Sequence, residues 1–227
     1  FGKGVENQTG VLAAKHGTRA LIVYGKGSVV KSGLLARVMQ SLKDAGIECE
    51  EFGGAQPNPT LSHAEEGVQK ALDFRADIII GVGGGSAIDT AKGIAHGAAN
   101  PGHKLWDIWT KKVPLTKSLP VGAVLTMPAA GSEMSDSAVL TNTELGKKAG
   151  IGTEFNRCRF AVINPEWGAT LPAYQLAAGI TDIMMHTMER YFIPGIKCDL
   201  TDEIAEGLLR TVIKNGAAVV QDPFDYD

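Results

Sequence analysis

The chain has 227 residues, 44% apolar and 21% charged, which is enough to bury a core and unlike a disordered segment. A formal charge of −3 gives no electrostatic basis for binding nucleic acid or an anionic membrane, and no apolar run reaches the roughly 20 residues of a bilayer span. Cys49, Cys158 and Cys198 lie far apart without a CxxC spacing, and no basic-then-apolar leader is visible. The odd, sparse set of cysteines suits reduced thiols in a cytoplasm better than a disulfide framework or a zinc knot.

In chain order, the apolar run 20–24 stops at Gly25 and predicts a buried strand. Leu34, Leu35, Val38, Met39 and Leu42 recur at helical spacing over 33–45, with Gly46 as the stop. An alternating strand is expected at 47–52. After the turn 57–60, Thr60 or Ser62 is expected to cap a helix over 61–74. Residues 76–82 read as a second buried strand, and Gly83-Gly84-Gly85-Ser86 leads into a helix reaching about Gly97. Strands are also expected at 119–125, 137–141 and 160–163. Strands alternating with helices predict an α/β fold, a Rossmann-like parallel sheet. The pattern changes at Asn164-Pro165, where two helices are expected, over 170–192 with Pro172 in the first turn and over 201–221. The expected organisation is therefore a dinucleotide-binding domain over 1–165 and the start of an all-helical, metal-binding domain over 166–227.

The strongest local signal is the strand that delivers Gly83, Gly84 and Gly85 to a helix start. Backbone amides without side chains can approach a pyrophosphate there, and the helix N-terminus adds partial positive charge. Ser86 can cap the helix or donate to a phosphate oxygen, and Asp89 can close a capping box. The plain alternative is a glycine-rich turn that binds nothing. The pattern is not GxGxxG, so no conventional fingerprint is claimed.

A second loop, Tyr24-Gly25-Lys26-Gly27-Ser28, follows the first strand. No acid stands in it to hold the ribose hydroxyls of NAD. Gly25 leaves room, and Lys26 and Ser28 are suited to a 2′-phosphate, which favours NADP(H) over NAD(H). Farther on, Asp182 and His186 are four apart on one helix face and can reach one metal ion, Fe(II) or Zn(II), with Glu189 as an outer partner. Taken alone, such a pair is more often an ordinary polar contact. His16, His63, His96 and His103 show no ligand spacing and are expected on the surface or in loops.

Taken together, Phe1-Gly-Lys-Gly4, the 24–28 loop, Pro57-Asn58-Pro59, the segment 81–89, Leu125 to Glu133, Asn164-Pro165 and Asp182 to Glu189 occur in the order of one family. The chain resembles the iron-containing alcohol dehydrogenases, especially their butanol dehydrogenase and aldehyde reductase branch. The resemblance implies the dehydroquinate synthase-like architecture and hydride transfer between NAD(P)(H) and a small alcohol or aldehyde. It also implies a homodimer and cofactor contacts from Asn58, Thr126 and Lys147. It makes Asp182 and His186 two of four metal ligands, the other two being histidines beyond residue 227, so that these residues are a piece of a longer enzyme and inactive alone. Ala130 and Ser135 stand where relatives carry threonine and often asparagine. A related polyol or polyol-phosphate dehydrogenase, a dehydroquinate synthase-like enzyme and a non-catalytic nucleotide-binding module are the alternatives.

Overall fold

The computed structural model describes residues 1–195 and 198–224; the last three residues of the 166–227 region lie outside them. The first elements are α1 (Thr9–Ala13), β1 (Arg19–Tyr24), α2 (Ser28–Lys31), α3 (Leu34–Asp44), β2 (Glu48–Phe52), α4 (Leu61–Phe74), β3 (Ile78–Gly83) and α5 (Gly85–Ala99). There follow α6 (Leu105–Trp109), β4 (Val121–Leu125), β5 (Ser137–Asn142), β6 (Lys147–Gly152), β7 (Phe160–Ile163), α7 (Pro165–Gly168), α8 (Ala173–Tyr191) and α9 (Asp199–Gln221). They form two compact units, Phe1–Thr126 with Gly131–Asn164, and Met127–Ala130 with Pro165–Asp227.

The first unit is a five-stranded, all-parallel sheet of order β2-β1-β3-β4-β7 with a β5–β6 hairpin. Strands β3 and β4 are buried along their whole length, as a sheet covered on both faces requires. Alternation puts Leu21, Val23 and Ile79 on one face, where Ala71 of α4 and Ala91, Ile94 and Ala95 of α5 cover them. Each fully buried isoleucine contributes roughly 1.5–3 kcal/mol. The edge strand β2 carries Glu48, Glu50 and Glu51, and Glu48 pairs with Arg19 while Glu50 pairs with Lys70. Charge on an open edge discourages pairing with another sheet.

Several elements depart from the sequence expectation. Helices α1, α2 and α6 are too short for a periodic signal. Strand β6, with two lysines and two glycines, buries only Ile151 and lacks the β-branched character of its partner. Pro172 is the residue before α8 rather than part of its first turn. Helix α9 begins two residues earlier than expected, at Asp199, which with Asp202 places two acids at its positive end. Thr60 is the residue before α4 but its hydroxyl makes no cap bond. Its backbone instead bridges to Thr141.

In the second unit α8 packs with α9, and Ile180 lies against Gly216. The Tyr191 hydroxyl donates to Glu206 at 2.9 Å. Tyr174, Met185, Leu200, Ile204 and Ile213 remain exposed, so these two helices bury little of their apolar surface among the described residues.

Candidate cofactor cradle and metal half-site

Chain order reverses between β1 and β3: β2 lies on one side of β1, and β3 and β4 lie on the other. Crevices at such a point, at the carboxyl ends of the strands, are where open α/β sheets bind ligands. Register pairs Val23 with Gly81 and Tyr24 with Val82, so the loops after β1 and β3 emerge side by side. Both loops singled out in the sequence flank this crevice.

The glycines after β3 divide by cause. A Cβ on Gly81 would sit 3.0 Å from the Ile88 Cα, and Gly83 has φ 151° and would meet the Ala87 Cβ at 3.0 Å. Internal packing explains both. Gly85 differs: an added Cβ would find nothing nearer than the Ser132 Cβ at 3.7 Å. The fold leaves room there, which fits close approach of a phosphate. The Ala87 amide already donates to the Gly84 carbonyl at 3.1 Å, and those of Gly84, Gly85 and Ser86 come before the first intrahelical bond, as at any helix start. Thr126 continues the strand pairing and donates its amide to the Gly83 carbonyl at 3.1 Å.

Ser86 does not cap α5. The helix begins at Gly85 with Gly84 before it, so Ser86 is already inside the first turn. Asp89 closes no capping box either. It accepts from the Ser132 hydroxyl and, at 3.0 Å, from the Val139 amide. Burial raises its carboxyl above the ordinary range, opposed by the Ser132 bond and by the Lys92 charge.

At the loop after β1, Gly27 adopts φ 117° ahead of α2. Lys26 and Ser28 are exposed. Gly25 and Tyr24 accept from the amides of Gly54 and Ala55 at 3.2 and 3.0 Å, tying this loop to the segment after β2. The loop itself holds no acid, but one reaches its first residue from the neighbouring strand. Glu51 of the adjacent strand accepts from the Tyr24 hydroxyl at 2.9 Å. The acid came from a strand neighbour that sequence order does not reveal.

Asn58 has φ 55°, and its side-chain oxygen accepts from Lys148 Nζ at 3.0 Å. Lys147, the lysine expected here, sits across from Asn142 at the hairpin end, and alternation sends it to the other face from Lys148. The charge felt by Asp89 also includes that of Lys148. Of the two, Lys148 is the lysine that contacts Asn58. Both lysines are exposed, and a sequence pair Lys-Lys in an unrecognised strand could not show which one reaches Asn58.

His96 also departs from expectation, being fully buried rather than at the surface. Its Nε2 lies 2.8 Å from the Asn156 side-chain oxygen and its Nδ1 2.8 Å from the Ser118 hydroxyl. The Asn156 amide nitrogen donates to the carbonyls of Asp136 and Ile151, which fixes its oxygen toward His96 and makes Nε2 the protonated nitrogen. Burial lowers the imidazole pKa to about 4. Asp89, Lys92, His96 and Asn100 follow one another at spacings of three and four, one stripe of α5. A helix rich in glycine, alanine and isoleucine on its other faces is buried all round, and that was the available signal for a buried polar stripe. Of the other histidines, His16 and His103 are exposed, while His63 stacks on Phe52 with ring centroids 4.5 Å apart. Burial pushes the Cys158 thiol up to about 11, so it is inert as a nucleophile.

In the second unit, His186 Nε2 lies 3.7 Å from Asp182 Oδ2 on α8, and Glu189 lies 4.0 Å from the other ring nitrogen. Asp182 also lines a groove of about 430 Å³ with Tyr174, Ala177, Ala178, Thr181 and Met185. Among the described residues no three potential ligands cluster. One carboxylate and one imidazole are donor types that suit Fe(II) or Zn(II).

The model of the iron-containing alcohol dehydrogenase family matches residues 1–165. The NADH-dependent butanol dehydrogenase A of Clostridium acetobutylicum is 39% identical over all 227 residues, which span 58% of that protein. The NADPH-dependent aldehyde reductase of Escherichia coli is 36% identical over 93% of this chain and 55% of its own length. The crystal structure of a butanol dehydrogenase A from Thermotoga maritima superposes with a TM-score of 0.95 at 36% identity, covering all of this chain and 56% of the other. The chain thus spans little more than half the length of the relatives it matches.

Proposed function

Since this chain belongs to the iron-containing alcohol dehydrogenase family, we propose that its protein transfers hydride between a nicotinamide dinucleotide and a small alcohol or aldehyde with the help of a divalent metal. The observation that carries the proposal is Gly85. Its backbone is ordinary and a Cβ would fit with no more than an ordinary contact to Ser132, yet the residue is glycine at the head of a long buried helix, at the point where strand order reverses. A ligand that approaches the backbone closely accounts for that choice.

In this reading the amides of Gly84, Gly85 and Ser86 bind the pyrophosphate, with Gly83 and Thr126 beside them. Asn58, Lys148 and Asp89 line the same region, with Lys148 taking the place expected for Lys147. Asp182 and His186 hold the metal, iron in preference to zinc. A bound divalent ion would polarise the substrate oxygen and stabilise its alkoxide form. The groove along Tyr174 and Met185 is suited to a short apolar chain next to that ion. The domain assignment, 1–165 for the cofactor and 166–227 for metal, follows from these roles. Three free cysteines suit a cytoplasmic enzyme. No described helix is long and apolar enough to cross a membrane. A homodimer belongs to the same proposal.

For the cofactor we assign NADP(H). Exposed Lys26 and Ser28 are available to a 2′-phosphate, while Glu51 is engaged by Tyr24. The relatives named above include enzymes of both cofactors, so titration decides. NADPH and NADH are titrated by nicotinamide fluorescence against the complete protein and its Lys26→Ala variant. The variant is expected to lose about tenfold in NADPH affinity with little change for NADH. Equal loss for both, or none, removes the Lys26 contact. Binding of neither cofactor to the unmodified protein removes the whole reading.

A further inference from the structure

Lys92 has no exposed surface at all. Its Nζ donates to the carbonyls of Ser132 at 2.7 Å, Ser137 at 2.8 Å and Ser135 at 3.3 Å. An ammonium has three protons, so the backbone of one short segment, 131–137, can engage all of them. The Ser132 hydroxyl lies 3.5 Å away as well. Three residues earlier on α5, Asp89 accepts from that same hydroxyl and from the Val139 amide. The helix therefore grips the segment through one cation and one anion.

Burying an ammonium costs several kcal/mol before any contact is counted, and an apolar side chain of similar volume often fills such a space at no loss. Burial lowers the Lys92 pKa, and the neighbouring Asp89 charge opposes the shift. A core that only needed filling has no use for this arrangement. What the grip achieves is placement: Ser132 is held with its Cβ 3.7 Å from the position a Cβ on Gly85 would take. The segment thereby forms a wall beside the first turn of α5, where the free amides are.

We propose that Lys92 is a positioning residue: it fixes segment 131–137 as the side wall of the dinucleotide cradle, so that cofactor affinity depends on an ammonium that never touches the cofactor. The inference rests on the functional reading above. A site of this kind tolerates displacements of only about half an ångström before binding suffers.

The test uses the complete protein with Lys92→Met, which removes all three donors, and Lys92→Gln, which retains two. The dissociation constant of the preferred nicotinamide dinucleotide, the thermal midpoint and kcat at saturating cofactor are measured for each. Lys92→Met is expected to weaken cofactor binding at least about tenfold, with Lys92→Gln between it and the unmodified protein. At saturating cofactor kcat is expected to stay within roughly threefold. A residue that merely supports the fold would lower the thermal midpoint and the active fraction while leaving the dissociation constant alone, and that outcome overturns the proposal. If Lys92→Met does not fold, Lys92→Gln decides; failure of both to fold also overturns it. An unmodified protein that binds neither NADH nor NADPH removes the functional reading and the inference together. Binding in the unmodified protein with unchanged affinity in folded variants removes the inference alone.

Discussion

In the sheet-bearing unit, the polar side chains along α5 are engaged: fully buried Lys92 by three carbonyls, fully buried His96 by Asn156 and Ser118, and half-buried Asp89 by Ser132 and Val139. In the helical unit, the side chains of Asp182 and His186 are 44% and 41% exposed, and their ion-pair partners are each other and Glu189. The first set is tied into the fold, so altering it changes shape and stability. The second set contributes little to folding, because exposed pairs are worth about 0–1 kcal/mol, and its donors remain available to a ligand. The same residue types thus serve opposite ends, and burial decides which.

The largest effect that would break this contrast concerns the exposed pair. Asp182→Ala or His186→Ala in the complete protein is expected to abolish retained metal, measured by elemental analysis. Alcohol oxidation should fall by more than about 100-fold, since losing even an outer partner of a metal ligand costs up to that. The thermal midpoint of the metal-free protein should hardly move. Retained metal and activity in either variant would remove the half-site. A collapse of the metal-free thermal midpoint would show that the pair is structural after all.

A second effect tests the buried set. His96 is neutral in the folded state with a pKa of about 4, against an ordinary value of 6.5. Between those values the unfolded chain binds a proton that the folded chain does not, so stability falls as pH drops through this window. The loss is about 3 kcal/mol between pH 6.5 and 4, and none is expected from this group above that range. The groups around the ring are Ser118, Asn156, the Trp109 ring 5.8 Å away, and the charge of Lys92, which adds to the lowering. Urea unfolding at several pH values, repeated with His96→Gln, isolates the contribution. Parallel pH profiles for the two proteins would mean that His96 is not buried neutral.

The sheet was legible because β1, β3 and β4 are short apolar runs, the first two ended by glycine, a pattern set by burial on both faces. The site was legible only where a motif is local. Gly83 to Gly85 could be placed from sequence, and the i,i+4 relation of Asp182 and His186 holds in any helix. Contacts made across the fold were hidden. The acid beside the β1 loop comes from Glu51 on a neighbouring strand, and the partners of Asp89 lie more than forty residues away. Lys148 could not be told from Lys147 without the register of β6, whose own sequence barely marks it as a strand.

The smallest expected effect is also the most discriminating between the two kinds of residue, because at Gly85 stability and binding should part company. An alanine Cβ there has room, with 3.7 Å to its nearest neighbour, and alanine favours helix over glycine by up to about 1 kcal/mol. Gly85→Ala should therefore leave the thermal midpoint unchanged or raise it slightly. If the first-turn amides bind the pyrophosphate as proposed, the same methyl should crowd it and weaken the dinucleotide by about tenfold. Gly81→Ala is the contrasting change: its Cβ would press on the Ile88 backbone at 3.0 Å, and overpacking of this kind costs about 1–3 kcal/mol. If Gly85→Ala binds cofactor as tightly as the unmodified protein, the glycine there serves no ligand. The turn would then be explained by packing at Gly81 and Gly83 alone.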